Sequence, residues 1–308
     1  MSEPEAALVM TRVRRRFGTT VAVDGLSLEV ARGEIFALVG PDGAGKTTLI
    51  RLLCGALRPD EGALRVDGVD VVREPQRVQA AIGYMPQRFS LYPDLSVREN
   101  LRFYGDIFGV PAARFAVRAQ ELLEEFALAP FGARLAAELS GGMKQKLALA
   151  CALIHSPATI LLDEPTAGVD PISRREFWRI LYGINRGGTT LFVSTTYMDE
   201  AERAHRVAFM TQGAVLTSGT PAELKANLRG EVVEIVCAER GTARRALRDF
   251  PLVRSVEIFG ETLHALVDSA QEAIPELRAR LAGAAIADVA LRAIPPSLED
   301  AFVARLAA

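Results

Sequence analysis

Residues 40–48 read GPDGAGKTT and fit the pattern G-x-x-x-x-G-K-[ST]. Gly40, Gly43 and Gly45 let a backbone wrap closely around an anion, with the N–H groups of the loop, Asp42, Ala44 and Thr48 included, available to it. Lys46 suits a bridge between the β- and γ-phosphates of a nucleoside triphosphate, and Thr47 suits a ligand to Mg²⁺. The competing reading is a glycine-rich turn with a surface lysine. A second cluster, ATILLDEPT (158–166), ends an apolar run in Asp163 and Glu164. A buried strand delivers such carboxylates at its C-terminal edge. Asp163 there suits Mg²⁺, mostly through water, and Glu164 suits orienting or deprotonating an attacking water. Adjacent strand residues point opposite ways, so the two carboxylates can have separate tasks. Alone, the segment also reads as a solvated acidic turn. A third stretch, LFVSTTYMDE (191–200), runs from apolar residues through Ser194-Thr195-Thr196 into an acidic helix start.

The elements that must hold these residues follow from periodicity. Segments 7–13, 21–30 and 34–40 read as strands, the last feeding the phosphate loop and then a helix over 46–57. Segments 62–68 and 81–87 read as short strands. From Ser96 the period turns helical: Ser96 to Glu99 is a capping box, and Val97, Leu101, Tyr104 and Phe108 follow at helical spacing. With a helix over 112–127, this marks an inserted helical subdomain over about 88–155. Strands return at 158–165, 189–195, 206–213 and 214–219. Beyond a short helix near 219–230, the order strand, helix, strand, strand, helix, strand, helix predicts a small α+β domain of the split βαβ type. The expected division is 1–222 and 223–308.

Composition narrows the class. The 308 residues allow one large domain or two smaller ones, and 49% hydrophobic with 24% charged residues is a globular balance. A net charge of −2 implies no broad basic face, and so no nucleic-acid partner. Cys54, Cys151 and Cys237 lie far apart, without metal-ligand spacing, which fits a reducing compartment. The longest apolar run, LALACALI (147–154), is far short of the roughly 20 residues that cross a bilayer. MSEPEAALVM lacks the pattern of a signal peptide. The expectation is a cytoplasmic chain that reaches a membrane only through a partner.

LSGGMKQKLALA (139–150) resembles the signature of ATP-binding cassette ATPases. Ser140, Gly141 and Gly142 open a helix, a ready anion site with free N–H groups. In that family the signature binds the γ-phosphate of ATP held by the other subunit, so the resemblance implies a second cassette, identical or related. Phe17, in VRRRFGTT, matches the aromatic that stacks on adenine; the alternative is a core aromatic. Gln87, in IGYMPQ, matches the glutamine that touches Mg²⁺ and links to the membrane partner; the alternative is a strand-end polar residue. Asp170 ends AGVD (167–170), which matches the loop that crosses the dimer interface. STTYMDEAER and PPSLEDAF resemble the ABC-2 branch of drug and antibiotic exporters. That resemblance implies ATP and Mg²⁺, membrane-spanning permease subunits, and a peripheral place on the cytoplasmic face. The implied fold is a P-loop RecA-like α/β core with an antiparallel β subdomain, a helical subdomain and a C-terminal ferredoxin-like domain.

The sequence departs from the branch in two places. Thr196 stands where the branch carries a histidine that contacts the γ-phosphate; a Thr hydroxyl reaches it only through a water. The expectation is a site that binds ATP better than it cleaves it. His205, expected in a helix or at its end, is read as a surface residue rather than a substitute. Asp42 replaces an Asn or Ser, and reads as a solvated loop acid or a weak repulsion on the phosphates. Arg88-Phe89-Ser90-Leu91-Tyr92-Pro93 reads equally as a permease contact or as core of the helical block. The alternative function is a soluble regulatory cassette that clamps a cytosolic partner; such proteins carry two cassettes or long coiled-coil or basic insertions, and this chain has neither.

Overall fold

The computed structural model describes residues 5–87 and 91–306; Arg88, Phe89 and Ser90, of the segment read as permease contact or helical core, lie outside them. The chain folds into two compact units that divide between Ser218 and Gly219.

The first unit opens with β1 (Ala6–Phe17), β2 (Thr20–Ala31) and β3 (Ile35–Val39), followed by α1 (Lys46–Leu53), β4 (Glu61–Val66) and β5 (Val69–Asp70). β2, β1, β4 and β5 form an antiparallel sheet in that order. After α2 (Pro75–Ala81) and β6 (Gly83–Met85) comes the helical block: α3 (Val97–Ile107), α4 (Ala112–Glu125) and α5 (Gly141–Leu153). The expected box caps α3. The Ser96 hydroxyl accepts from the Glu99 N–H at 3.3 Å, and the Glu99 carboxylate accepts from the Ser96 N–H at 2.7 Å.

The chain then lays down β7 (Thr159–Asp163), α6 (Pro171–Arg186), β8 (Thr190–Thr195), α7 (Met198–Ala201), β9 (Arg206–Thr211) and β10 (Ala214–Gly219). The second sheet runs β10-β9-β3-β8-β7-β6, with β9, β3, β8, β7 and β6 parallel. β3, β7 and β8 are buried at every residue. Strands covered on both faces need continuous apolar runs, which is how FALV, TILL and TLFV read. Phe36 and Phe192 stack at 5.7 Å across β3 and β8. Leu49, Ile50, Leu52 and Leu53 of α1 are buried in one core with Leu8 and Val23 of the antiparallel sheet and Phe36 and Phe192 of the parallel one.

The second unit holds α8 (Pro221–Ala226), β11 (Glu231–Val236), α9 (Arg240–Leu247), β12 (Val253–Phe259), β13 (Thr262–Val267), α10 (Ala270–Gly283), β14 (Ala290–Ile294) and α11 (Leu298–Leu306). Its antiparallel sheet has the order β12-β13-β11-β14, the split βαβ arrangement. Val233, Ile235, Leu247, Leu263 and Leu277 are wholly buried in its core. The division falls a few residues ahead of 222/223, because α8 packs on α11 and so belongs with the second unit.

Candidate active site

Four neighbouring parallel strands each deliver part of one site at their carboxyl ends, as open α/β sheets do. Gly40 follows β3, Ser194 and Thr195 end β8, Glu164 follows β7, and Gln87 comes just after β6. The register sets Val39 beside Thr195 and Asp163 beside Ser194. The loop therefore meets the carboxylates across a single intervening strand.

Gly40 and Gly45 of the loop are steric necessities. A Cβ on Gly40 would lie 2.0 Å from the Met210 carbonyl oxygen. Gly45, with φ of +108°, would place one 2.1 Å from the Ala22 carbonyl oxygen. Asp42, Gly43, Ala44, Gly45, Lys46, Thr47 and Thr48 line a cavity of about 370 Å³ together with Gln87 and Glu164. Its wall also includes Thr20, Val21 and Ala22 of β2, which the sequence does not mark. The signal is indirect: Thr20 pairs with Phe17 across the β1–β2 turn. Phe17 is 46% exposed with the Arg15 guanidinium over its ring, so it is not a core aromatic. Asp42 is exposed.

Lys46 is 4% exposed at the first turn of α1. Its Nζ donates to the carbonyls of Gly40 at 2.8 Å and Pro41 at 3.1 Å, and it lies 3.1 Å from Glu164 Oε1. The other oxygen of Glu164 accepts from Gln87 Nε2 at 2.9 Å. Gln87 is thus tied to the site rather than being a plain strand-end residue.

Asp163 is 1% exposed, and its Oδ1 accepts from the hydroxyls of Ser194 at 2.7 Å and Thr47 at 3.1 Å. Its Oδ2 is buried without a hydrogen-bond partner. Burial pushes the Asp163 carboxyl above its ordinary 3.8, and the hydroxyls of Ser194 and Thr47 only partly offset that. Among the described residues no group of three or more His, Cys, Asp or Glu could hold a metal. One carboxylate with a free buried oxygen beside a hydroxyl does fit a hard cation that keeps waters and leans on phosphate oxygens.

The two carboxylates diverge for a reason that strand alternation does not supply. β7 ends at Asp163, and Glu164 has a left-handed φ of 48°. Such a backbone in a non-glycine residue is strained and recurs at active sites. The Glu164 N–H is held by Ser194, by its carbonyl at 3.1 Å and its hydroxyl at 3.0 Å. Ser194 therefore secures both acids, a role that its place in the sequence does not signal.

The threonine corner separates into two parts. Thr195 is buried, and its hydroxyl donates to Glu200 Oε2 at 2.9 Å, so it is occupied by protein. Its carbonyl accepts from the Gly40 N–H at 3.4 Å. Thr196 is half-buried one residue on, is not on the cavity wall, and takes no hydrogen bond among the described residues. His205 is exposed in a bend, not a helix. Its Nδ1 accepts from the Ile35 N–H at 3.1 Å, at the opposite end of β3 from the loop.

Ser140, Gly141 and Gly142 are not brought to this cavity. Ser140 caps α5, its hydroxyl accepting from the Met143 N–H at 3.3 Å, and both Ser140 and Gly141 are exposed. Gly142 packs on α6: a Cβ there would lie 2.7 Å from the Ser173 hydroxyl. Asp170 caps α6, its Oδ1 accepting from the N–H groups of Ile172 at 3.1 Å and Ser173 at 3.0 Å. Hydrogen bonds from Ser173 hold its carboxyl below the ordinary range.

Comparison with known proteins decides the family. The ABC transporter family matches residues 23–167. Over 303 residues the chain is 40% identical to the daunorubicin resistance ATP-binding protein DrrA3 of Streptomyces coeruleorubidus, covering 97% of this chain and 95% of that one. The chain belongs to the ABC transporter family. Another ABC relative, the Nod factor export ATP-binding protein I of Paraburkholderia xenovorans (strain LB400), is 40% identical over 304 residues, 97% of each chain. Among solved ABC cassettes, a dimeric post-hydrolysis structure bound to ADP and Pi is similar, with a TM-score of 0.63 and 26% identity, covering 69% of this chain and 98% of that one. The ABC cassette described here is accordingly a P-loop ATPase. No helix among its described residues is long and apolar enough to cross a membrane.

Proposed function

We propose that this chain is the motor subunit of an ABC-2 type exporter, working on ATP sandwiched between two cassettes. One observation carries the reading: the complete Leu139-Ser140-Gly141-Gly142 turn exposes Ser140 and Gly141 outside the cavity of its own phosphate loop. An anion site with no anion of its own chain to hold serves a second cassette. The names of the relatives, a drug-resistance and a Nod-factor export protein, support export.

The loop amides and the N-terminus of α1 receive the phosphates, with adenine against the exposed Phe17. Thr47 and Asp163 would hold Mg²⁺, with Gln87 near, and the ion would offset the negative charge of the phosphates and of Asp163. Lys46 pairs with Glu164 at 3.1 Å. A γ-phosphate competes for that lysine, and Glu164 is then released to accept a proton from the attacking water. The water oxygen bonds to the γ-phosphorus as the bond to ADP breaks, giving ADP and phosphate. Thr196 supplies no charge to this step, so turnover is slow relative to binding.

Closure on ATP and reopening after hydrolysis are passed to membrane subunits. The supporting feature is an apolar groove of about 380 Å³, walled by Ile82, Tyr84, Pro86, Tyr104 and Phe108. Pro86 adjoins Gln87, which holds Glu164, so an occupant of the groove bears on the site. Gln79 lies on the groove wall, exposed and away from the ATP cavity. The chain is expected to co-purify with an integral membrane protein from detergent extract, and Gln79→Glu to lower that recovery with ATP binding intact. Recovery only with soluble partners, unaffected by Gln79→Glu, overturns the reading.

A further inference from the structure

Glu200 is a charged residue that the ATP chemistry does not use, yet it is 1% exposed. Its Oε1 accepts from the Thr166 hydroxyl at 2.5 Å and its Oε2 from the Thr195 hydroxyl at 2.9 Å. Arg174 of α6 forms an ion pair with it at 3.4 Å. Thr166 and Thr195 are each 1% exposed. A carboxylate this buried persists only with such partners, and losing one of them is costly.

The two hydroxyls lead to the two loops that matter. Thr166 sits in the turn that carries Glu164: the Ala167 N–H donates to the Glu164 carbonyl at 3.1 Å, and the Val169 N–H to the Thr166 carbonyl at 3.1 Å. Holding Thr166 therefore holds the backbone of Glu164 and the approach to Asp170. On the other side, the Thr195 hydroxyl accepts from the Tyr197 N–H at 3.0 Å, and the Arg174 guanidinium lies 4.0 Å from the centre of the Tyr197 ring. Both neighbours of Thr196 are thus fixed through Glu200 or its ion-pair partner.

We infer that Glu200 is a positioning residue for hydrolysis: it locks the Glu164–Asp170 turn to the Thr195–Tyr197 corner so that the two move as one body. The inference rests on ATP cleavage at this site, and it concerns how the base and the γ-phosphate corner are kept in register. Misplacement by about 1 Å costs about a hundredfold in rate.

The test uses the full chain with Glu200→Gln, which keeps shape and removes charge, and separately Thr166→Val with Thr195→Val. Two readouts are taken. Amide hydrogen exchange without nucleotide is expected to quicken in both 166–170 and 195–199 while β3 and β7 keep wild-type protection. Steady-state kinetics are expected to show kcat about 10- to 100-fold lower with KM within about twofold, at a temperature well below the lowered Tm of the variants, where the unit is still folded. Adding Glu200→Gln to the double threonine variant is expected to cost little more, because the three act as one unit. Exchange that quickens in only one segment, or a kcat that falls only where protection is lost across the whole unit, overturns the inference. A wild-type chain without Glu164-dependent turnover would fail the ATPase reading instead, and the exchange pattern alone would then decide the role of Glu200.

Discussion

In the proposed function, the residue at 196 sets the strength of the site. A charge-assisted contact contributes about 1.5–3 kcal/mol, and a Thr hydroxyl beyond reach of the phosphate supplies none of it. Thr196→His is expected to raise kcat about 10- to 200-fold with nucleotide affinity unchanged, read by ATPase assay beside binding of a fluorescent ATP analogue. No gain would mean that the frame at 195–197 does not aim this position at the γ-phosphate. Single residues are legible in the sequence where motif and spacing coincide: the loop, Glu164 and Gln87 meet around one cavity, and Asp163 bonds Thr47 of its wall. What escaped is tertiary by nature. Glu200 looks like a solvated helix acid until the fold buries it against Thr166 and Thr195, and Ser194 looks like strand filler until it meets Asp163. Thr195 and Thr196 adjoin in sequence yet differ in the fold, because successive strand-end side chains face different neighbours.

Among the elements, α5 and the helical block it anchors carry two further tests. Ser140→Ala removes the cap of α5 at a cost of about 1 kcal/mol. Turnover is expected to fall much further than that stability loss implies while binding at the phosphate loop survives, which a turnover assay beside analogue binding separates. His155 lies just past α5, stacks on Phe108 at 3.7 Å, and bonds the Ile82 carbonyl at 3.1 Å. Burial holds its imidazole below the ordinary 6.5, and the bond to Ile82 works the other way. The folded ring is neutral, so the unfolded chain takes up the extra proton. Stability is therefore full above about pH 6.5 and is lost as pH falls from there through the lower folded value. Between pH 7 and pH 5 the wild-type Tm is expected to drop by about 2–4 °C for each kcal/mol lost, more steeply than that of His155→Phe. Parallel curves would contradict this. Capping chemistry made α3 legible, and buried apolar runs made the parallel strands legible. α6 lies outside the elements that periodicity predicts, although Asp170 followed by Pro171 is a helix-start signal.

At the scale of the whole molecule, the strand order of the parallel sheet does what no local pattern specifies: it sets β8 between β3 and β7, so that loop and acids face each other. Local patterns specify the elements, but their order in a sheet depends on which buried faces pack together. With Ser140 and Gly141 of the signature turn exposed, the proposed function is one of paired cassettes, with each Glu164 working on ATP closed over by a second chain. The direct test is the ATPase rate of the purified chain against protein concentration, with Glu164→Gln as control. The account predicts a rate that rises more than linearly with protein and vanishes in the control. A rate per chain that is independent of concentration, or one that survives Glu164→Gln, would contradict it.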